Sequence, residues 1–220
     1  MRKKLGLVTS AVLLSVSMSS NIFAETFNFD KLADNTAISE SNSGFEFINF
    51  DGSDIKAIAS TEQAHSGSTS LKMIDKSTST KPYVRKTFAA GDANKGKLSV
   101  QIYVPDGNSK STYVALGKGI TAEKGVERYL EVKVSGSGNV SYENGKTDPK
   151  IGSVDTDTWN EFVVEWGEGK FNLTVNGEKM GNNLPILNAE ILPTSVILYT
   201  GDNKNPKNVA YIDDLSSDLF

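Results

Sequence analysis

The sequence contains no cysteine and only one histidine, His65. The lack of cysteine excludes disulfide bonds, a cysteine nucleophile, a thiolate zinc site and a lipid-modified N-terminal cysteine. A single histidine leaves no histidine-rich metal cluster and no obvious Ser-His-Asp triad. A metal ion bound to this chain must therefore be held mainly by oxygen atoms. Calcium is the cation that such a donor set favours, because it prefers carboxylates, backbone carbonyls and water.

Basic residues are outnumbered by acidic ones, 23 to 27, and the formal net charge is −4. Three of the basic residues stand at positions 2–4, ahead of an apolar run at 5–16 and a small residue at Ala24. This pattern predicts a cleaved secretory signal peptide over residues 1–24. Because cleavage removes three basic residues and no acidic one, the remaining chain carries a net charge of −7 and no membrane span. We expect a secreted or periplasmic protein that does not bind nucleic acid through bulk charge.

Long helical patterns are also missing, and apolar and polar residues alternate with period two along most of the chain. This alternation predicts half-buried antiparallel strands, and short turn signals rich in Gly, Asn and Asp separate them. A length of about 200 residues suits one all-β domain. The sequence therefore predicts a single two-sheet antiparallel β-sandwich, a jelly-roll, over residues 25–220. Its longest connection is predicted at residues 179–195. The clearest predicted strands are KLSVQIYV at 97–104, RYLEVKVS at 128–135, WNEFVVEW at 159–166 and KFNLTVNG at 170–177.

Three fragments together resemble the concanavalin A-like lectin and glucanase superfamily, including its LamG-like members. They are HSGSTSLKMID at 65–75, DTWNEFVVEWGEGKFNLTVNGE at 157–178 and VAYIDDL at 209–215. The resemblance lies in an SG turn that leads into a strand, a W..F.V.W strand and a closing strand that contains IDD. Carbohydrate-binding modules of the galactose-binding-like type share the first and last of these features, so they remain a competing fold of the same class.

The resemblance implies a structural calcium ion where the first strand, the SG turn and the last strand meet. Its ligands would be Asp213 or Asp214, the carbonyl of Gly67 or a neighbour, and atoms near Phe29 and Asp30. Because side chains alternate along a strand, only one of the two consecutive aspartates can point into the site, and Asp213 is preferred. The alternative is that both acids are solvated charges on an edge strand, where they discourage aggregation.

Polar and aromatic side chains on the outward parity of the strands predict a concave face that binds a polysaccharide. Flat rings stack on the apolar faces of sugars, and planar polar groups hydrogen-bond their hydroxyls. Strand propensity alone would also place tyrosines on a solvated sheet, so that alternative stays open. The two tryptophans, Trp159 and Trp166, are expected in the core. The residues predicted to contact sugar are Tyr83, Arg85, Gln101, Tyr103, Tyr129 and Lys133, with Tyr113 and Glu131 on the same face.

Enzymatic activity is the second hypothesis. The E-x-D-x-x-E run of retaining glucanases in this superfamily does not occur here. Alginate lyases of the same fold carry an Arg strand, a Q-I-H strand and a Y-x-K-x-G strand, and this chain shows Arg85, Gln101, Tyr103 and Tyr199 in the corresponding order. Tyr103 replaces the histidine, and a tyrosine can act as the base only if its pKa falls well below about 10. We therefore favour non-catalytic, lectin-like carbohydrate binding, with a polysaccharide lyase or a surface or matrix protein-interaction domain as alternatives.

Overall fold

The computed structural model describes residues 25–52, 54–89, 91, 93–201 and 208–220. The predicted signal peptide at 1–24 lies outside these residues, so export stays a prediction. Within them, one helical turn, α1, spans Glu40–Ser43, and no helix has the length and apolar character needed to cross a lipid bilayer. The strands are β1 Thr26–Phe27, β2 Glu46–Ile48, β3 Ile55–Ser60, β4 Ser70–Asp75, β5 Tyr83–Thr87, β6 Gly96–Tyr103, β7 Thr112–Thr121, β8 Gly125–Val134, β9 Asn139–Tyr142, β10 Lys150–Ser153, β11 Trp159–Gly167, β12 Lys170–Val175, β13 Glu178–Pro185, β14 Ser195–Thr200 and β15 Asn208–Ser217.

The strands form two antiparallel sheets, which confirms the predicted β-sandwich. Sheet A has the order β13-β12-β11-β6-β15-β4-β3, and β1 pairs with the end of β15. Sheet B has the order β10-β9-β8-β7-β14-β5-β2. The expected long connection at 179–195 is partly wrong, because β13 occupies its first half. The alternation signal is weak there because β13 is an edge strand with mostly exposed side chains.

The core lies between the two sheets and is built by the alternation seen in the sequence. On β6, Leu98, Val100 and Ile102 are buried while the residues between them are partly exposed. Trp166 on β11 is 5% exposed, and its indole N–H donates to the carbonyl of Ala93 at 3.2 Å. The prediction that Trp166 is a core residue is therefore confirmed.

Trp159 lies outside this core, so the prediction for it was wrong. It begins β11 on the parity opposite to the buried Phe162 and Val164, and it is only half buried. The same alternation that places Trp166 in the core turns Trp159 towards the outside of sheet A.

A bulge changes the side-chain parity of β8. Leu116 pairs with Leu130, but the next residue of β7, Gly117, pairs with Arg128, which leaves Tyr129 as the extra residue. Tyr129 is 3% exposed and packs in the core cluster. The prediction that Tyr129 lies on an outward face was therefore wrong, because a bulge places two successive side chains on one side of a strand.

The outer face of sheet B carries a second apolar cluster. Tyr83, Ala115, Ile197 and Tyr199 are buried there together with Val126, which lies near the start of β8. A Cβ atom at Gly125 would sit 3.3 Å from the Tyr83 hydroxyl oxygen, so the tip of the β7–β8 hairpin contacts this face. The hairpin thus helps to shield Tyr83 from solvent.

Gly67 offers a test of the turn that precedes β4. Its φ is +58°, and a Cβ atom there would overlap the carboxylate of Asp30. We expect Gly67→Ala to lower the free energy of unfolding by about 3 kcal/mol, since it adds a steric overlap to left-handed strain. Urea unfolding monitored by circular dichroism measures this loss.

Gly107→Ala is the matched control, because Gly107 has a φ of +79° with no atom within 4 Å of its Cβ position. We expect this variant to lose only about 1 kcal/mol, the cost of left-handed backbone alone. Equal losses in the two variants would contradict the close approach of Gly67 to Asp30.

Candidate functional site

The last strand is tied to the segment that precedes β4 through a buried carboxylate. Asp213 on β15 is 0% exposed. Its Oδ2 atom accepts the backbone N–H groups of His65 at 3.0 Å and Ser66 at 3.2 Å, and its Oδ1 atom accepts that of Asp214 at 2.9 Å. Burial raises the pKa of Asp213 to about 6, although these N–H groups oppose the rise. We call residues 65–69 the closing turn.

Asp214 binds the same turn. Its φ of +45° and a register shift on β15 after Asp213 interrupt the strand alternation. The Asp214 carboxylate accepts the Ser66 hydroxyl at 2.6 Å and lies 2.6 Å from Nδ1 of His65. The prediction that only one aspartate could face the turn was therefore wrong. The edge-strand alternative was also wrong, because β15 lies between β4 and β6.

Asp30, which follows β1 in the chain, binds the closing turn. Its Oδ1 atom accepts the N–H groups of Ser68 at 2.6 Å and Thr69 at 3.0 Å, and these bonds lower the pKa of Asp30. The hydroxyl of Thr69 donates to the carbonyl of Phe29 at 2.8 Å. The structure thus brings together the four residues predicted for a metal site, which are Asp30, Gly67, Asp213 and Asp214.

The donors around these carboxylates fit a calcium ion poorly. In the described contacts, both Asp213 oxygens accept hydrogen bonds from backbone N–H groups. These bonds use the lone pairs with which the carboxylate would bind a cation. Within the described ranges, no group of three His, Asp and Glu side chains is arranged to hold a metal ion. The arrangement satisfies the carboxylates with protein donors, and calcium at this junction stays a prediction.

An aromatic row crosses the outer face of sheet A beside the closing turn. Tyr211 on β15 is opposite Tyr103 on β6, which in turn is opposite Trp159 on β11. The ring centroid of Tyr103 is 5.7 Å from that of Tyr211 and 5.7 Å from that of Trp159, and His65 lies 5.8 Å from Trp159. We call Tyr211, Tyr103, Trp159 and His65 the aromatic row.

Carboxylates hold the row in place. The hydroxyl of Tyr211 donates to Glu62 at 2.6 Å, and that of Tyr103 donates to Asp157 at 3.4 Å. Lys72 pairs with Glu62 at 2.5 Å. Burial raises the pKa of Tyr211, and the bond to Glu62 adds to this; burial and Asp157 likewise raise the pKa of Tyr103. Both phenols therefore stay protonated at neutral pH, which does not suit Tyr103 for the role of a general base.

The two charged residues predicted to contact sugar lie on the outer face of sheet B, where each is paired with an acid. Arg85 binds Glu46, and Lys133 binds Asp148 at 2.5 Å. Tyr83, also predicted to contact sugar, is buried in the cluster beneath the β7–β8 hairpin.

Glu131 is buried at the centre of this face. The hydroxyl of Tyr199 donates to it, and Nη1 of Arg128 lies 3.2 Å from Glu131 and 2.8 Å from Glu143. Burial raises the pKa of Glu131 and raises that of Tyr199 strongly. The ring of Tyr199 is stacked on that of Tyr113 at 4.4 Å. Tyr199 is therefore engaged on its ring and its hydroxyl by neighbouring side chains.

The structure does not bring the predicted lyase residues, or the predicted sugar-contacting residues, together on one surface. Of the four residues in the lyase hypothesis, Gln101 and Tyr103 lie in sheet A, whereas Arg85 and Tyr199 lie in sheet B. The predicted sugar-contacting set is divided in the same way: Gln101 and Tyr103 face outward from sheet A, Tyr83, Arg85 and Lys133 lie on sheet B, and Tyr129 is in the core.

Sequence reasoning missed three members of the aromatic row, which are Tyr211, Trp159 and His65. For two of them, strand parity indicated the position. Trp159 has the outward parity of Glu161, and Tyr211 has the parity of Asp213. For His65 no local pattern was available, because its position beside Trp159 depends on the contact of the closing turn with β15.

No protein-family model matches the sequence, and no curated protein matches it either. Solved structures with a similar fold include a sialidase, with a TM-score of 0.59 and 9% identity over 84% of this chain and 18% of that chain. The cellulose induced protein Cip1 gives a TM-score of 0.58 and 17% identity over 83% and 94% of the two chains. A carbohydrate esterase from the Shiga toxin-encoding bacteriophage phi24B gives 0.57 and 13% over 81% and 91%. At these identities the likeness shows a shared β-sandwich fold.

We expect Asp213→Ala to destabilise the protein strongly. The substitution leaves two N–H groups of the turn without their acceptor, so we expect the free energy of unfolding to fall by about 2 to 4 kcal/mol. Asp155→Ala, which removes an exposed carboxylate, is the control and should change it by less than about 0.5 kcal/mol. A small effect of Asp213→Ala would contradict the role of this carboxylate.

In wild type, an unchanged melting temperature in EDTA would remove the calcium prediction, and a decrease that added calcium reverses would support it.

The raised pKa of Asp213 predicts how stability depends on pH. Between its ordinary pKa of 3.8 and its folded value of about 6, the folded protein binds more protons at this group than the unfolded chain. The contribution of this group to stability is therefore present below about pH 4 and is lost as the pH rises to 6. We expect the difference in unfolding free energy between wild type and Asp213→Asn to fall over that interval and to stay constant above it. A difference that is flat or rises from pH 4 to 6 would show that the pKa is not raised.

Proposed function

We propose that this protein is an exported, non-catalytic carbohydrate-binding β-sandwich that holds a polysaccharide on the aromatic row of sheet A. The observation that carries the proposal is the pair formed by Tyr103 and Trp159. Their rings lie 5.7 Å apart on neighbouring strands, both are partly exposed, and they face outward from the sandwich. The ring planes are inclined at 61° to each other, so the pair offers two apolar surfaces at different angles for the CH groups of a sugar chain.

Polar groups of the right type surround these rings. Asp157, Asp214 and Glu62 each bind a member of the row and supply carboxylate oxygens that can accept hydrogen bonds from sugar hydroxyls. Because the side chains of Tyr211, Tyr103 and His65 are hydrogen-bonded to these carboxylates, they would lose little conformational entropy when a ligand is bound. The row therefore combines stacking surface and hydrogen-bond acceptors in a fixed arrangement.

The outer face of sheet B is less suited to this role. Its tyrosines Tyr83 and Tyr199 are buried, and its cations Arg85 and Lys133 are each paired with an acid. A sugar on that face would have to displace these ion pairs or the β7–β8 hairpin. By contrast, the rings of Tyr103 and Trp159 require no such rearrangement.

Similar solved structures support a role in carbohydrate chemistry. Two of them are named as a sialidase and a carbohydrate esterase, and a third is named as a cellulose induced protein. The lyase alternative gains no support from the site, since its four residues lie in two different sheets. Export through the predicted signal peptide would place the protein where polysaccharides are found.

The proposal predicts that Trp159→Ala and Tyr103→Ala each weaken glycan binding. We expect a loss of at least about tenfold, near 1.4 kcal/mol, because each substitution removes a ring that contacts sugar. A glycan array would identify a ligand for the wild-type protein, and isothermal titration calorimetry would then compare the variants.

Tyr113→Ala is the matched control, because Tyr113 is also a partly exposed tyrosine but lies on sheet B. It should bind like wild type. If Tyr113→Ala abolished binding while Tyr103→Ala did not, the glycan would lie on sheet B. If the folded wild-type protein bound no glycan, the proposal would be wrong.

A further inference from the structure

A cleft of about 580 Å³ opens at the end of β11 opposite to Trp159. Both sheets contribute to it, because Tyr129 belongs to β8 of sheet B whereas Trp166 and Phe171 belong to β11 and β12 of sheet A. Trp166 and Phe171 are cross-strand partners. The cleft therefore reaches the core between the sheets and is distinct from the aromatic row.

Aromatic rings form the floor of the cleft. Trp166, Phe171 and Tyr129 are all buried core residues, and the indole of Trp166 is fixed by its hydrogen bond to Ala93. The side chain of Tyr129 is nearly inaccessible, but its hydroxyl, which has no hydrogen-bond partner among the described residues, is still reached by solvent. A ligand that enters the cleft can therefore hydrogen-bond this hydroxyl in place of water.

The rim of the cleft is polar and carries balanced charge. Its cations are Lys95 and Lys170, and its acids are Glu165 and Glu168. An anionic ligand would be repelled by the two acids, and a cationic ligand by the two lysines. The rim therefore favours neither sign of charge.

Amide side chains complete the rim. Asn94, Asn172 and Asn183 supply donors and acceptors, and Asn172 is positioned by accepting the N–H of Asn183 at 2.9 Å. Leu192, which also lines the cleft, is 38% exposed and adds apolar surface at the mouth. The CH₂ groups of a fatty acyl chain could not hydrogen-bond these amides. The hydroxyls at the edge of a sugar ring could.

We propose that this cleft is a second binding site that takes one sugar unit of a neutral glycan. An apolar floor under a polar rim whose charges balance suits a neutral ring with CH faces and peripheral hydroxyls, and the volume lies within the range of roughly 300 to 1,000 Å³ typical of small-ligand sites. The choice of a sugar as the occupant rests on the proposed function.

The two sites would act on one polysaccharide from the two ends of the same strand. Trp159 and Trp166 are seven residues apart on β11, which corresponds to about 23 Å in an extended strand. One glycan chain that reaches both sites would bind more tightly than either site allows, because the second contact becomes intramolecular.

The two tryptophans of the chain make the sites separately observable, since one lies in each. Trp159→Phe leaves Trp166 as the sole reporter of the cleft, and Trp166→Phe leaves Trp159 as the sole reporter of the row. The probes are neutral hexasaccharides of β-1,4-linked glucose, xylose and mannose, titrated while tryptophan emission is recorded. We expect a saturable change in Trp166 emission in the Trp159→Phe protein with at least one probe.

Tyr129→Phe, added to Trp159→Phe, removes only the hydroxyl and should weaken this response at least fivefold. Tyr142→Phe is the matched control, because Tyr142 is buried against Phe171 at 5.7 Å but does not line the cleft. It should leave the response unchanged. Equal effects of the two substitutions would overturn the assignment of the response to the cleft.

The outcomes separate the two proposals. If Trp159 responds in the Trp166→Phe protein and Trp166 responds to no probe, the cleft proposal is wrong and the row stands. If Trp166 responds and Trp159 does not, the row is wrong and the cleft stands. Circular dichroism melting of each variant confirms that it is folded before the titration.

Discussion

The hydrogen bonds between the Asp213 carboxylate and the closing turn are the interaction on which the described site depends. β15 pairs with β4 and β6 and, at its end, with β1, so it holds several distant parts of the chain together. The carboxylate of Asp213 fixes the closing turn against this strand. Because His65 belongs to that turn, the same bonds bring its ring beside Trp159. The hydrogen bonds that fix the closing turn therefore also place His65 in the aromatic row, whose other members are placed by the pairing of β15, β6 and β11.

The two outer faces of the sandwich have different chemistry. On sheet B, the small side chain of Ala115 and the bulge at Tyr129 accompany a hairpin that packs down onto Tyr83. The charged residues that remain there neutralise one another. On sheet A, the rings of Tyr103 and Trp159 stay partly exposed and are bordered by carboxylates. This asymmetry explains why an open ligand surface would form on one face of a fold that is otherwise built from two comparable sheets.

β11 connects the aromatic row with the cleft. Its first residue, Trp159, lies in the aromatic row, and Trp166 near its end lies in the floor of the cleft. Between them, Phe162 and Val164 are buried in the core, so the strand is held rigidly along its length. Two sites on one strand keep a fixed separation, so a polymer that passed around the sheet to reach both would be held at two points.

Side-chain alternation was enough to predict an all-β fold and to locate strands such as β6 and β11, because a period of two is a local property of the chain. It also indicated that Asp30, Gly67 and Asp213 would meet, through a resemblance. The tertiary structure alone decided which sheet each strand joins, and this separated Gln101 from Arg85. It also decided where alternation fails, at the bulges near Tyr129 and Asp214. Strand pairing and bulges depend on contacts between residues far apart in the chain, and a local pattern carries no information about them.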